Sequence, residues 1–182
     1  MGPASEQVRL VISLLAGSEP PRTRAIQRLC ADLGPLDFLS RPLAFAFSDY
    51  YAAEMGGPLT RRLAAFRSLV RPWDLAALKA RCQALEAELA VADRRQVNLD
   101  PGILGGDALI LATSKPCGHR LPLAEGLWQE LTLWFNHGQF HPLPWTYPDY
   151  AGPELREIFA GLRRRLLWQL KTAAGPQQGG EP

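Results

Sequence analysis

Residues 8–15 alternate Val8, Leu10, Ile12 and Leu14 against Arg9, Val11, Ser13 and Leu15, so both faces of the run are almost wholly apolar. That pattern predicts a central strand covered on both sides. After Ser18-Glu19-Pro20-Pro21, Ala25, Ile26, Leu29, Cys30 and Leu33 fall on one helical face until Gly34-Pro35 stops the run. Residues 39–47 set Leu43, Phe45 and Phe47 against Ala44 and Ala46, which predicts a second strand, with Pro42 restricting one end to an edge or bulge. Residues 62–70 fit a strand returning beside it, and equally a helical turn. Past Pro72, the positions Leu75, Leu78, Cys82, Leu85 and Leu89 recur at intervals of three and four. With Lys79, Arg81, Glu86 and Glu88 off that face, the segment predicts an amphipathic helix. A short strand over 96–99 is expected next, closed by a turn at Pro101-Gly102.

Strand, helix, strand, strand, helix, strand is the order of a ferredoxin-like βαββαβ unit, so the fold class expected is α+β with that unit as its core. Residues 106–114 are short and apolar and are read as helical. Residues 119–123 and 127–135 read as a hairpin joined through Glu125-Gly126, and Asn136-His137-Gly138-Gln139 as the next hairpin turn, into a short strand near Phe140. HPLPWTYPDYAGP, residues 141–153, is too rich in proline for regular structure and reads as a pinned, ordered loop. Gly152-Pro153-Glu154 opens a last helix with Leu155, Ile158, Phe159, Leu162, Leu166 and Leu170 inward. The organisation expected is a flexible terminus at 1–7, a single domain over 8–171 and a disordered polar tail over 172–182. Within the domain, 8–100 is the core, and 101–171 is a C-terminal extension of β-hairpin, aromatic and proline-rich loop and terminal helix.

With 182 residues, one domain is the simplest arrangement, and 47% hydrophobic content is ample for its core. The formal charge of +2 is too small for electrostatics to drive nucleic-acid or membrane binding. The apolar run near the start lacks a basic segment before it and is shorter than the roughly 20 residues of a membrane span, so neither a signal peptide nor a membrane helix is expected. Three scattered cysteines, Cys30, Cys82 and Cys117, form no disulfide framework, which points to a reducing cytoplasm.

The candidate chemistry concentrates in residues 98–120, NLDPGILGGDALILATSKPCGHR. Asp100 can act as a base or cap the turn after it. Asn98 can join it as a ligand contact or turn inward to backbone. Lys115, His119 and Arg120, with Thr113 and Ser114 before them, combine a point charge, a planar fork and neutral donors, the mixture that a phosphate or carboxylate needs. The same residues can instead form a solvated turn with one ion pair to Asp107, Glu125 or Glu130. Asp49 and Tyr50 stand at the mouth of the second strand, and Trp145 and Tyr147 offer stacking surfaces on a loop that is either a lid or a structural strap. Cys117, His119, His137 and His141 invite a zinc reading, with His137 and His141 credibly spaced, but nothing requires the two pairs to meet and there is no Cys-x-x-Cys, so no metal site is assigned. Arg163, Arg164 and Arg165 put a basic stripe on the last helix, ordinarily a solvated face.

Four strings carry a family resemblance: FSDYYAAEMG at 47–56, VNLDPG at 97–102, ATSKPCGHR at 112–120 and PLPWTYPDY at 142–150. In these the chain resembles the bacterial family of domains of unknown function numbered 4416, over most of residues 8–171. The resemblance implies a family and no activity. A guanine-nucleotide role is not supported, because there is no G-x-x-x-x-G-K-[ST] loop and NLDP lacks the lysine of Asn-Lys-x-Asp. Two functions stay open. One is a small-molecule protein, enzyme or binder, that binds or acts on a phosphorylated or nucleotide-like ligand between core sheet and extension. There Asp100 and His119 would be catalytic, and Asn98, Lys115, Arg120, Asp49, Tyr50, Trp145 and Tyr147 would bind; no cofactor is identified. The other is a non-enzymatic module binding RNA or a protein.

Overall fold

The computed structural model describes residues 7–46 and 52–173. Among them, nine strands form one antiparallel sheet, with helices on both faces. Strand β1, Val8–Ala16, lies at its heart and is buried along nearly its whole length, as its two-sided apolar pattern requires. Helix α1, Glu19–Leu33, follows. The strand expected over 39–47 is instead two short pieces, β2 at Leu36–Leu39 and β3 at Leu43–Phe45. Both pair with β4, Leu59–Val70, which settles residues 62–70 as strand. Pro42 sits in the break. There the Ser40 hydroxyl accepts the Leu63 N–H, taking over from the ladder. Helix α2 is a single turn at Ala52–Met55. A 3-10 turn at Pro72–Asp74 leads into helix α3, Leu75–Glu88.

Strand β5 runs from Asn98 to Leu104, straight through the turn expected at Pro101-Gly102. Pro101 is paired with Ile12 of β1 but has no partner on the other side, an edge-like setting in which a strand tolerates proline. Residues 106–114 are likewise not helical: Ala108–Thr113 is strand β6, wedged between β5 and β8. Six residues with Leu109 and Leu111 on one face and Ile110 and Ala112 on the other make too short a helix and a well-partnered strand. Strands β7 (Leu121–Ala124), β8 (Leu127–Asn136) and β9 (Gln139–Pro142) form the expected hairpins. They join the same sheet, whose order is β2-β4-β1-β5-β6-β8-β7, with β3 on β4 and β9 on β8. A one-turn helix α4, Pro148–Ala151, interrupts the proline-rich loop, and helix α5 spans Pro153–Ala173. No helix among the described residues is long and apolar enough to cross a membrane.

The two faces have separate cores. Leu10, Ile12, Leu14, Ala16, Ala64, Phe66 and Leu99 pack against α1 and α3. Val11, Leu63, Ala65, Leu104, Leu109, Leu111 and Leu133 pack against α5 through Leu155, Phe159 and Leu162. The β5–β6 ladder holds only from Gly102↔Leu111 to Leu104↔Leu109. A Cβ on Gly102 would come within 2.5 Å of Leu111 Cδ2 and 2.9 Å of the Ile110 carbonyl oxygen, so the close approach there requires glycine. Before Gly102 the ladder stops, and the site lies at this opening.

Candidate functional site

Because β6 pairs with β5 only from Gly102 onward, the N-terminal half of β5 has no strand beside it on that edge among the described residues. Two side chains of α3, seven residues and two helical turns apart, stand in for the missing strand. Lys79 Nζ donates to the Leu99 carbonyl oxygen at 3.1 Å, and the Glu86 carboxylate accepts the Leu99 N–H. In a strand, alternate residues aim their backbone groups to the same side, so Pro101 also faces this edge, where it has no N–H to leave unpaired. Lys79 reaches on to Asp100 Oδ1 at 3.0 Å. Asp100 is therefore a mid-strand residue in a partly buried ion pair, not the cap of a turn. Its other oxygen accepts from Asn98 Nδ2 at 2.6 Å, and Asn98 Oδ1 accepts from Arg95 at 2.7 Å.

These groups line one side of a cavity of about 440 Å³ on the α5 side of the sheet. Opposite them stand Thr113, Ser114 and Lys115, at and after the end of β6, with Arg120, Glu130, Tyr147, Asp149 and Tyr150. Arg61, on β4, closes the floor. It pairs with Asp149 at 2.7 Å, donates to the Ser13 hydroxyl and stacks over Tyr150 at 5.0 Å. Burial pushes the Tyr150 phenol up to about 12, against the lowering influence of Arg61, so it faces the cavity as a neutral hydroxyl. Arg120 Nε donates to Glu130 at 2.7 Å, NH1 to the Lys115 carbonyl at 2.8 Å and NH2 to the Tyr147 hydroxyl at 2.9 Å. One guanidinium thus closes the 115–120 loop and ties it to the aromatic loop.

Of the residues singled out from sequence, Asn98, Asp100, Lys115, Arg120 and Tyr147 meet at this cavity. His119 and Trp145 sit beside it. Their rings stack at 5.2 Å and 11°, and His119 Nε2 lies 3.1 Å from Glu130, the carboxylate it shares with Arg120. Asp49 and Tyr50 lie outside the described residues. His137 occupies a hairpin turn at positive φ, and His141 is bonded to the Asn136 carbonyl at 3.0 Å, so neither joins His119. The aromatic loop is fastened down: Trp145 Nε1 donates to the Leu131 carbonyl at 2.8 Å and the Thr146 hydroxyl to the Thr132 carbonyl at 2.6 Å. These bonds fill the stretch of the β8 edge between β7 and β9. On α5, Arg163 donates to the Gly106 carbonyl and lies 3.5 Å from the Phe135 ring centroid, while Arg165 donates to the Asp37 carbonyl at 2.6 Å.

Lys79, Glu86, Arg61 and Arg95 are cavity residues that the sequence did not single out. Lys79 and Glu86 read as part of the polar face of α3, yet Lys79 is 4% exposed and the Glu86 side chain 11%. The only signal is their spacing, which with Cys82 and Gln83 traces a flank of the helix next to its apolar face. Burial pulls the Lys79 ammonium down, but the Asp100 and Glu86 carboxylates outweigh it and the net shift is upward. Glu86 goes the other way for a carboxyl: burial pushes it up to about 7, against the Leu99 N–H and Lys79. Burial also drives the Cys82 thiol to about 12, so it is a core thiol and no nucleophile.

A family model described as a domain of unknown function, DUF4416, matches residues 6–166. No curated protein and no solved structure matches the chain.

Proposed function

The chain belongs to the DUF4416 family, and from the cavity in this member we propose that it binds a small anionic ligand carrying a phosphate, sulfate-like or carboxylate group. The observation that carries this reading is convergence. Arg61, Lys79, Arg95, Lys115 and Arg120 come from separate places on β4, α3 and three loop or turn positions, and all line one cavity. Glu86, Asp100, Glu130 and Asp149 line it too, and among the described lining residues, with Glu86 half-protonated near neutral pH, the cations outnumber the anions. Thr113, Ser114, Tyr147 and Tyr150 add neutral hydroxyl donors, so the lining has the point charges, planar forks and hydroxyls that oxyanions take. A volume near 440 Å³ admits a ligand up to nucleotide size, and Tyr147 and Phe45 supply ring surface at its border. The same reading takes the β2-β4-β1-β5 order, with α1 and α3 on one face, as a ferredoxin-like core whose bare β5 edge became the site. Asp100, held by Lys79 and Asn98, acts here as an orienting group.

The test is calorimetric titration with inorganic sulfate, inorganic phosphate and adenosine monophosphate. At least one should bind, and Arg120→Ala should weaken it by about tenfold or more, the scale of a lost charged hydrogen bond. If none binds at millimolar concentration, the anion-site reading is wrong. With Arg163 and Arg165 already engaged on backbone carbonyls, the basic stripe of α5 lends no comparable support to a module reading.

A further inference from the structure

Glu86 and Asp100 are two carboxylates beside one buried ammonium, and their partners differ. Asp100 takes the direct contact with Lys79 Nζ at 3.0 Å and a second bond from Asn98. Glu86 takes the Leu99 N–H on Oε1, while Oε2 stands 3.7 Å from Arg95, beyond hydrogen-bond reach. Among the described residues, the charged and titratable groups around Glu86 are Lys79 and Cys82 from α3, Asp100 from β5 and Arg95 from the loop before β5. Glu54 of α2 lies behind Arg95, at 3.4 Å from it. A nearly buried carboxyl therefore lines the cavity with one oxygen anchored to backbone and one available to a ligand.

Resting on the anion-site reading above, we propose that Glu86 is a proton-linked ligand contact: its protonated carboxyl donates from Oε2 to an oxyanion in the cavity, and its ionised form repels that oxyanion. The ligand class is accordingly one with an ionised oxygen that accepts a hydrogen bond, and its affinity falls as pH rises. No bond is made or broken beyond this proton. The bound complex takes up a proton at Glu86 wherever the free protein has lost it. Burial of the carboxyl supports the position of the transition near neutrality.

Sulfate is the probe, since it stays doubly ionised across the range and adds no titration of its own. For the unaltered protein, sulfate affinity should fall by roughly 30-fold between about pH 6 and about pH 8.5, following a single group that loses its proton near 7. Glu86→Gln keeps a carbonyl oxygen for the Leu99 N–H and copies the protonated form, so its sulfate affinity should be flat with pH. His119→Gln should retain the slope, because His119 contacts Glu130 rather than Glu86. Independently of any variant, calorimetry in buffers of different ionisation enthalpy should find close to one proton taken up per sulfate at about pH 8. A slope unchanged in Glu86→Gln, a slope abolished by His119→Gln or an absence of proton uptake overturns the proposal and leaves the anion site standing. Failure of sulfate to bind even at about pH 6 overturns the proposal, and the anion site falls with it when inorganic phosphate and adenosine monophosphate fail as well.

Discussion

Strand β1 buries polar side chains at two places on one face. Toward its start, Arg9 is fully buried, its guanidinium bonded to both oxygens of Asp37 at 2.6 and 2.7 Å and also to Gln169 of α5. Toward its end, Ser13 and its neighbours Arg61, Asp100 and Asn98 are gathered just as firmly, but around a cavity. Both regions bury charge on the α5 side of the same sheet. At Arg9 the partners fill the space and α5 runs over the top. At the other end α5 has given way to the single turn of α4, and β6 has parted from β5. Burial of charge alone thus does not mark a site in this molecule. Among the described residues, a shortage of chain to fill the space around the charges does.

The strongest way to break that contrast is to remove Arg9. Arg9→Ala leaves Asp37 and the Phe66 carbonyl facing a void, and losing one partner of a buried pair costs about 3–5 kcal/mol. Urea unfolding should show a loss of that size, while sulfate affinity of the folded variant stays within about twofold. Sulfate binding lost in step with stability would mean that the two regions are one. Glu86→Gln should act in the opposite direction. Glu86 releases its proton near 4.5 when unfolded and near 7 when folded, so the folded chain holds the proton through that window. Stability therefore declines as pH rises from 4.5 to 7 and stays lower above it. The glutamine variant, free of that decline, should gain about 3 kcal/mol relative to the unaltered protein on going from about pH 4 to about pH 8.5. An equal melting difference at both pH values would remove the electrostatic distinction between the two regions.

The fold was legible where a residue's own period decides its neighbours. The two-sided pattern of residues 8–15, the three-and-four spacing from Leu75 and the glycine turns at Gly126 and Gly138 each describe local geometry, and β1, α3 and the hairpins lie where they predict. The misreadings share another cause. Pro101-Gly102 carries the composition of a turn, and residues 106–114 have no decisive period, so both depended on which strand lies alongside. That is long-range information absent from the segment itself. In the same way Lys79 and Glu86 are indistinguishable from a solvated helix face until the β5 edge beside them is known to be bare. Asn98, Asp100, Lys115 and Arg120 were findable because they crowd one short stretch. Arg61, distant in sequence, and Arg95, three residues outside that stretch, were not.

The smallest effect expected bears on where the cavity ends. Tyr147 is half-exposed and belongs both to the fastened aromatic loop and to the cavity lining, and its hydroxyl accepts from Arg120 at 2.9 Å. If it serves the cavity, Tyr147→Phe removes a group that aims the Arg120 fork while leaving the ring in place. One such hydrogen bond contributes about 1 kcal/mol, so sulfate binding should weaken by roughly fivefold with no measurable change in unfolding midpoint. If the loop is only a strap, its anchors are Trp145 on the Leu131 carbonyl and Thr146 on the Thr132 carbonyl, and the Phe variant should bind sulfate unchanged. The first outcome extends the chain-poor, ligand-facing region across the aromatic loop. The second ends it at Arg120 and assigns the loop to the filled half of the molecule, alongside Arg9.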